Sequence, residues 1–189
     1  MRRMIGITGA PGAGKTTYAV ALATAEGGVH LPMDGFHLAD VSLDRLGLRS
    51  RKGAPETFDA HGYAALLARL RAEPSEVVYA PAFERDLEQP LAGAIAIPPD
   101  AALVVTEGNY LLLDEPGWRE ARAQLDEVWF LDEDEALRRS RLAARHVEFG
   151  KTPEEAAAWV ARVDDANAAL VRATRDRADR VVDLRDLRA

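Results

Sequence analysis

Eight consecutive residues, Gly9-Ala10-Pro11-Gly12-Ala13-Gly14-Lys15-Thr16, satisfy the pattern G-x-x-x-x-G-K-S/T at every fixed position. Each residue type has a task at this spacing. The glycines let the backbone curl so that successive N–H groups point at one anion, and the start of a following helix adds positive potential. Lys15 is long enough to reach the outer phosphates of a nucleotide, and the Thr16 hydroxyl is an oxygen ligand suited to magnesium. The chemistry expected is therefore capture of a nucleoside triphosphate by its polyphosphate. Two rival patterns fail. A dinucleotide loop needs G-x-G-x-x-G, and with Gly12 and Gly14 as its first glycines the third falls on Thr17. A GTPase switch would use Asp114-Glu115-Pro116-Gly117 as D-x-x-G, yet no N-K-x-D guanine-reading segment exists in the chain, so that match reads as a turn.

A second set of residues would turn binding into transfer. Asp34 follows Leu31-Pro32-Met33 and precedes Gly35-Phe36-His37-Leu38, at the end of an apolar run beside the glycine loop. Phosphorylation of an alcohol needs a base that orients the hydroxyl and accepts its proton, and Asp34 is placed for that; its plain alternative is a turn-capping aspartate. Glu107 ends the run Leu103-Val104-Val105-Thr106, where it could hold magnesium or contact the acceptor, or be a solvated strand-end acid. Arg138, Arg141 and Arg145 share helical spacing in a cluster with Arg139, His146 and Lys151. Such a segment, at about residues 138–155, could close as a lid and neutralise phosphate charge, or pair as a solvated face with residues 132–135. Arg51 in the basic loop and Arg85 after Pro81-Ala82-Phe83-Glu84 suit an anionic or polyhydroxylated acceptor. His37, beside Asp34, is either an acceptor contact or a structural hydrogen-bonding residue.

These residues need a frame that brings strand ends together. Apolar runs suited to buried strands occur at residues 4–8, 29–33, 77–80, 103–106, 128–131 and 180–183. Helices are expected at 14–25, after an Asp59 cap with Tyr63, Leu66, Leu67 and Leu70 on one side, after Asp132, and after Thr152-Pro153-Glu154-Glu155. Strands alternating with helices imply an α/β three-layer fold around a mostly parallel sheet of five or six strands, with ligands beyond its carboxyl edge. No internal repeat or linker is visible, so residues 1–189 read as one domain.

Composition narrows the partners. The chain has 189 residues, 24 Lys+Arg against 31 Asp+Glu, a formal charge of −7, and no cysteine. Disulfides, thiolate metal sites and thiol nucleophiles are excluded. An acidic chain with 6% aromatics is a poor nucleic-acid binder. The apolar runs fall far short of the roughly 20 residues of a spanning helix, and Thr8, Gly9, Pro11 and Gly12 break the one stretch that imitates a signal peptide. The expectation is a cytoplasmic protein whose partner is a small-molecule alcohol, with no nucleic acid and no membrane; a homodimer is compatible with it.

The motifs together resemble the P-loop kinases that include uridine kinase, phosphoribulokinase and bacterial pantothenate kinase, and within them a bacterial nucleoside/nucleotide kinase-like or fructose-transport-system kinase subgroup. The resemblance is carried by Gly9, Ala10, Pro11, Gly12, Ala13, Gly14, Lys15, Thr16 and Thr17, by Met33 to Leu38, by Arg51 to Asp59, by Pro81 to Arg85, by Glu107 to Leu113, and by Arg141 to Gly150. It implies phosphoryl transfer from ATP with magnesium, Asp34 as base, Lys15 and the glycine loop on the phosphates, and lid arginines at Arg141 and Arg145. It also implies an acceptor-side role for Asn167, which falls where pantothenate kinases carry a substrate-side asparagine. Phe83 and Arg85 stand where those enzymes have a Tyr and His pair, and Gly53-Ala54-Pro55 replaces the usual uridine-kinase acceptor segment, so neither named substrate carries over. The expected activity is an ATP-dependent small-molecule kinase acting on a sugar, nucleoside or related alcohol; the alternative is an ATP-binding regulatory or sensor protein without such transfer.

Overall fold

A run of apolar or small residues can be covered on both faces, and Met4-Ile5-Gly6-Ile7-Thr8, which follows the exposed Arg3, is such a run: all five are buried. In a computed structural model, which describes residues 2–72 and 75–185, this segment is β1 (Arg3–Thr8) and runs through the glycine loop into α1 (Lys15–Ala25). In chain order follow β2 (Val29–Pro32), α2 (Asp40–Leu46), α3 (Ala60–Arg71), the hairpin β3 (Val78–Glu84) and β4 (Gln89–Ile97), and β5 (Leu103–Glu107). Then come α4 (Trp118–Arg122), β6 (Glu127–Asp132), α5 (Glu135–Glu148), α6 (Pro153–Trp159), α7 (Asp165–Arg172) and β7 (Arg180–Asp183).

Five strands form one parallel sheet in the order β2-β5-β1-β6-β7. Register fixes what shares its carboxyl edge. Ile7 and Pro32 both lie opposite Glu107, so the ends of β1, β2 and β5 are level, and the segments leaving β1 and β2 start beside Glu107. Alternation along the strands feeds two cores. Met4, Leu31, Val104, Val128 and Phe130 pack on one face with Tyr63, Leu67, Leu70 and Trp118. Ile5, Ile7, Val105 and Leu131 pack on the other with Ala19 and Ala23 of α1. Helix α3 begins where expected, its Asp59 carboxylate accepting from the Gly62 N–H at 2.8 Å. Arg2, ahead of β1, is buried and donates to the carbonyls of Leu70, Pro98, Pro99 and Ala101, so it anchors the strand start. Among the described residues no helix is long and apolar enough to cross a membrane.

The sequence reading is corrected at residues 77–80. That run does not join the parallel sheet as a sixth strand; it belongs to β3, which pairs antiparallel with β4, from Val78 opposite Ile97 to Glu84 opposite Gln89. The second strand was not anticipated, because Pro90, Gly93 and a largely exposed face hide a strand that is paired on only one side. The hairpin packs on the 3-10 turn Met33–Phe36, where an added Cβ at Gly35 would lie 2.3 Å from the Pro81 carbonyl oxygen. Only glycine admits that approach.

One buried polar chain ties three elements under the site. The Tyr63 hydroxyl of α3 lies 2.6 Å from Thr106 Oγ1 of β5, and the Thr106 hydroxyl donates to the Leu31 carbonyl of β2 at 2.7 Å. Thr106→Val keeps the shape but strands the Tyr63 hydroxyl. We expect a loss of about 2 kcal/mol and a fall of roughly 4–8 °C in Tm by calorimetry. In the Tyr63→Phe/Thr106→Val double variant the cost should be less than the sum of the singles, as it is for partners in one network.

Candidate active site

The glycine loop leaves β1 and opens α1 with no side-chain cap on the helix, whose first N–H groups are left to the loop's concave side. Gly12 has φ +81°, and an added Cβ there would lie 2.7 Å from the Arg138 carbonyl oxygen, so both backbone conformation and the crossing of α5 demand glycine. Arg138 fixes that crossing. Its side chain is 1% exposed and donates to the Pro11 carbonyl at 3.1 Å, to Glu135 at 2.7 Å and to Asp165 of α7 at 3.0 Å. It therefore clamps the loop, α5 and α7 together, while Arg141 and Arg145 remain beside the loop.

Lys15, the first residue of α1, is buried and donates from Nζ to the Ala10 carbonyl at 3.1 Å. Burial lowers its pKa to about 8, against the pull of Glu107 and Asp34 and with the push of Arg145 and Arg138. Glu107, at the end of β5, is 4% exposed and accepts the Thr16 hydroxyl at 3.0 Å. Burial works to raise the pKa of Glu107, but the His30 ring, Lys15 and the Thr16 hydroxyl outweigh it and hold it below the ordinary value. The His30 ring nitrogen lies 3.8 Å from Glu107, beyond direct hydrogen-bond distance. Asp34, on the turn after β2, goes the other way: burial and then Glu107 raise its pKa, opposed by Arg85, Lys15 and Arg145. Its open third, a side-chain exposure of 35%, faces a cavity rather than the outer surface.

Two cavities meet here. One, of about 390 Å³, is bordered by Gly12, Gly14, Lys15, Thr16 and Thr17 of the loop and helix, with Arg141 and Arg145 across it. The other, of about 350 Å³, takes in Asp34, His37, Phe58, Phe83, Asp164 and Asn167. Arg85, Arg145 and Phe149 line both.

Most of the expected site residues converge on these spaces. Gly9, Ala10, Pro11 and Ala13 form the loop itself. His37 lies against Phe58, with ring centroids 3.9 Å apart, and edge-on to Phe83 at 4.9 Å; its Nδ1 is buried without a hydrogen-bond partner. Burial, then Lys52 and Arg85, depress its pKa to about 3, so it faces the cavity as a neutral ring. Asn167 of α7 lines the same cavity and donates to the Gly53 carbonyl at 3.2 Å, which the Tyr110 hydroxyl also bonds. Arg141 borders the loop cavity while paired with Glu133 at 2.9 Å, and Arg139 pairs with Asp165 at 3.2 Å, so part of the solvated-face alternative is present as well. Arg51 is the exception. It turns outward onto Glu56 at 2.7 Å with 63% of its side chain exposed, and its neighbour Lys52 lines the cavity instead. Asp114, of the D-x-x-G match, pairs with Arg119 at 2.7 Å ahead of α4, an ordinary turn.

The sequence reading missed Asp164 and Trp159. Trp159 precedes and Asp164 ends a π-helical turn, Val160–Asp164, between α6 and α7; it brings the Asp164 carboxylate 2.8 Å from His146 Nε2 in the cavity wall. An extra residue per turn leaves no compositional trace, so periodicity could not have located it.

The arrangement joins a polyphosphate cradle to a second space holding a carboxylate, which suits transfer between two ligands. Comparison with known proteins agrees with that geometry. The model of the phosphoribulokinase/uridine kinase family matches residues 4–187. The chain is 34% identical over 183 residues to "Putative uridine kinase C227.14" of Schizosaccharomyces pombe (strain 972), with 90% of this chain and 78% of that protein covered. It is 38% identical over 133 residues to "ATP-dependent kinase-like protein notR'" of Aspergillus versicolor, covering 67% of this chain and 77% of that one. Among solved structures, that of a "putative fructose transport system kinase" from Silicibacter sp. TM1040 superposes with a TM-score of 0.84 at 38% identity, covering 96% of this chain and 89% of the other. A glycine loop on a five-stranded parallel sheet, matched over nearly the whole chain, places this protein in the phosphoribulokinase/uridine kinase family, as an ATP-binding P-loop phosphotransferase.

Proposed function

We propose that this chain transfers the γ-phosphate of ATP to an alcohol hydroxyl of a sugar, nucleoside or related small metabolite. The observation that carries the reading is Asp34. It is a carboxylate within the electrostatic reach of the loop lysine yet open to the cavity beside the nucleotide cradle. A protein that only senses nucleotide needs the cradle but has no use for a base at the mouth of a second space.

In this reading the loop from Gly9 to Thr17 holds the phosphates through its N–H groups, and Lys15 neutralises the outer ones. Thr16 and Glu107 would hold magnesium. The fit is supported by their hydrogen bond of 3.0 Å, which sets two hard oxygens beside the loop, and magnesium takes few protein ligands when phosphates and water supply the rest. When bound, the ion would help neutralise the charge of the phosphates. Glu107, held ionised, is the metal-side carboxylate; Asp34 is the proton acceptor. His37, as a neutral ring, and Asn167 line the acceptor's side of the cavity. Arg141 and Arg145 draw in over the phosphates and exclude water that would otherwise be the acceptor.

ADP release should be measured against a panel of sugars, nucleosides and related alcohols. At least one should support turnover that Asp34→Asn lowers by about a hundredfold or more, with ATP affinity little changed. Tight ATP binding with no turnover on any alcohol would favour the nucleotide-sensing reading, and an unchanged rate in Asp34→Asn would discard Asp34 as base.

The pH profile carries a second prediction. Asp34 must be ionised to accept a proton, so activity is lost as pH falls through its pKa. Burial and Glu107 of β5 raise that pKa, while Lys15 of α1, Arg85 of the hairpin and Arg145 of α5 oppose them. The acid limb of kcat/KM should therefore sit above the ordinary aspartate range. Glu107→Gln, whatever it does to the maximal rate, should move that limb to lower pH; a limb that stays put would show that the two carboxylates do not interact.

A further inference from the structure

The β3–β4 hairpin stands outside the parallel sheet, but it docks on the turn that carries Asp34 through the close approach of Pro81 to Gly35. Arg85 follows directly on the end of β3. Its Nη2 lies 3.8 Å from Asp34 Oδ2, at the outer limit of an ion pair, with 43% of its side chain exposed. No other ion pair to Arg85 occurs among the described residues. Its neighbours on the cavity wall are engaged: Arg49 bonds Asp40 at 2.7 Å, and Lys52 bonds Asp40 at 2.9 Å and lies 3.6 Å from Glu88. Arg85 is also one of three residues that border both the loop cavity and the Asp34 cavity. A guanidinium that anchors an acidic group of the acceptor belongs on the wall away from the base. Arg85 stands at the base and at the seam between the two spaces, where the phosphoryl group crosses.

We propose that Arg85 is a catalytic residue: its guanidinium neutralises the charge on the phosphoryl group in flight and is delivered by the hairpin rather than by the glycine loop or α5. The assignment rests on the kinase reading above. In the step itself the acceptor O–H gives its proton to Asp34 as its oxygen bonds the γ-phosphorus. The bond from that phosphorus to the β–γ bridging oxygen breaks, and ADP leaves with the electron pair. The three equatorial oxygens of the group in transit then carry charge that two fork N–H donors of Arg85 can meet together. Arg85 also favours the ionised form of Asp34, and its guanidinium turns to the phosphoryl group when one is bound.

The test uses ADP with aluminium fluoride in magnesium-containing buffer, a mimic of the transferring group that needs no knowledge of the acceptor. Affinity for ADP alone and for ADP–aluminium fluoride is measured by calorimetry for the unaltered chain, Arg85→Ala, Arg85→Lys, and the control Arg51→Gln, which removes an equal charge outside the cavities. The expected result is an Arg85→Ala loss of about tenfold or more for the fluoroaluminate complex, with ADP affinity within about twofold. Arg85→Lys should lie between, since it keeps the charge but not the fork, and Arg51→Gln should change neither. Arg85→Ala binding the fluoroaluminate complex as tightly as the unaltered chain would overturn the proposal. So would an unaltered chain that gains nothing from fluoroaluminate over ADP. Failure of the unaltered chain to bind ADP at all would instead bring down the nucleotide-site reading and this assignment with it.

Discussion

Lys15 is an ammonium sunk at the carboxyl edge of the sheet, and two carboxylates make that burial tolerable. Burial disfavours its charged form; Glu107 and Asp34 counter that and leave its pKa at about 8. The compensation is uneven. Glu107, bonded to Thr16 and close to His30, takes the negative charge readily, and its charge then makes a second one at Asp34 costly. Two acids on strand ends beside the same loop are thereby pushed apart in proton affinity, which is how one site would hold a metal-side carboxylate and a proton acceptor together.

Everything else in the fold serves that cluster. The level ends of β1, β2 and β5 set the loop, the Asp34 turn and Glu107 side by side, and the Tyr63–Thr106–Leu31 chain braces β2 and β5 from below. Parallel strands buried on both faces give this edge its rigidity. The parts that complete the site come from elements hung around the sheet: the hairpin brings Phe83 and Arg85, α5 brings Arg141 and Arg145, and the π-helical turn brings Asp164. Arg138, although it shares helical spacing with the other two arginines, is spent on joining the loop to α5 and α7.

What could be read from the sequence divides along the same line. The glycine loop, Asp34 and Glu107 were legible because each is tied to a strand end, and strand ends of a parallel sheet are fixed by local pattern. Arg51 and Lys52 were not separable, since adjacent residues in an irregular loop differ only in which way the backbone turns them; Arg51 meets Glu56 and Lys52 meets Asp40. Strand β4 escaped notice because a strand paired on one side and open on the other lacks the apolar signature of the buried ones. His146 and Asp164, eighteen positions apart, meet through the packing of α5 against the π-helical turn, a contact that no short-range pattern encodes.

The uneven protonation of the two carboxylates is the claim on which the account turns, and it can be observed directly. Carboxyl carbon shifts of Asp34 and Glu107, assigned by comparison with Asp34→Asn and Glu107→Gln, should be followed by NMR as pH is lowered. Asp34 should titrate above an ordinary aspartate and Glu107 below an ordinary glutamate, with the Asp34 midpoint falling when Glu107 is replaced. An Asp34 that titrates at or below its ordinary value with Glu107 intact would contradict the account.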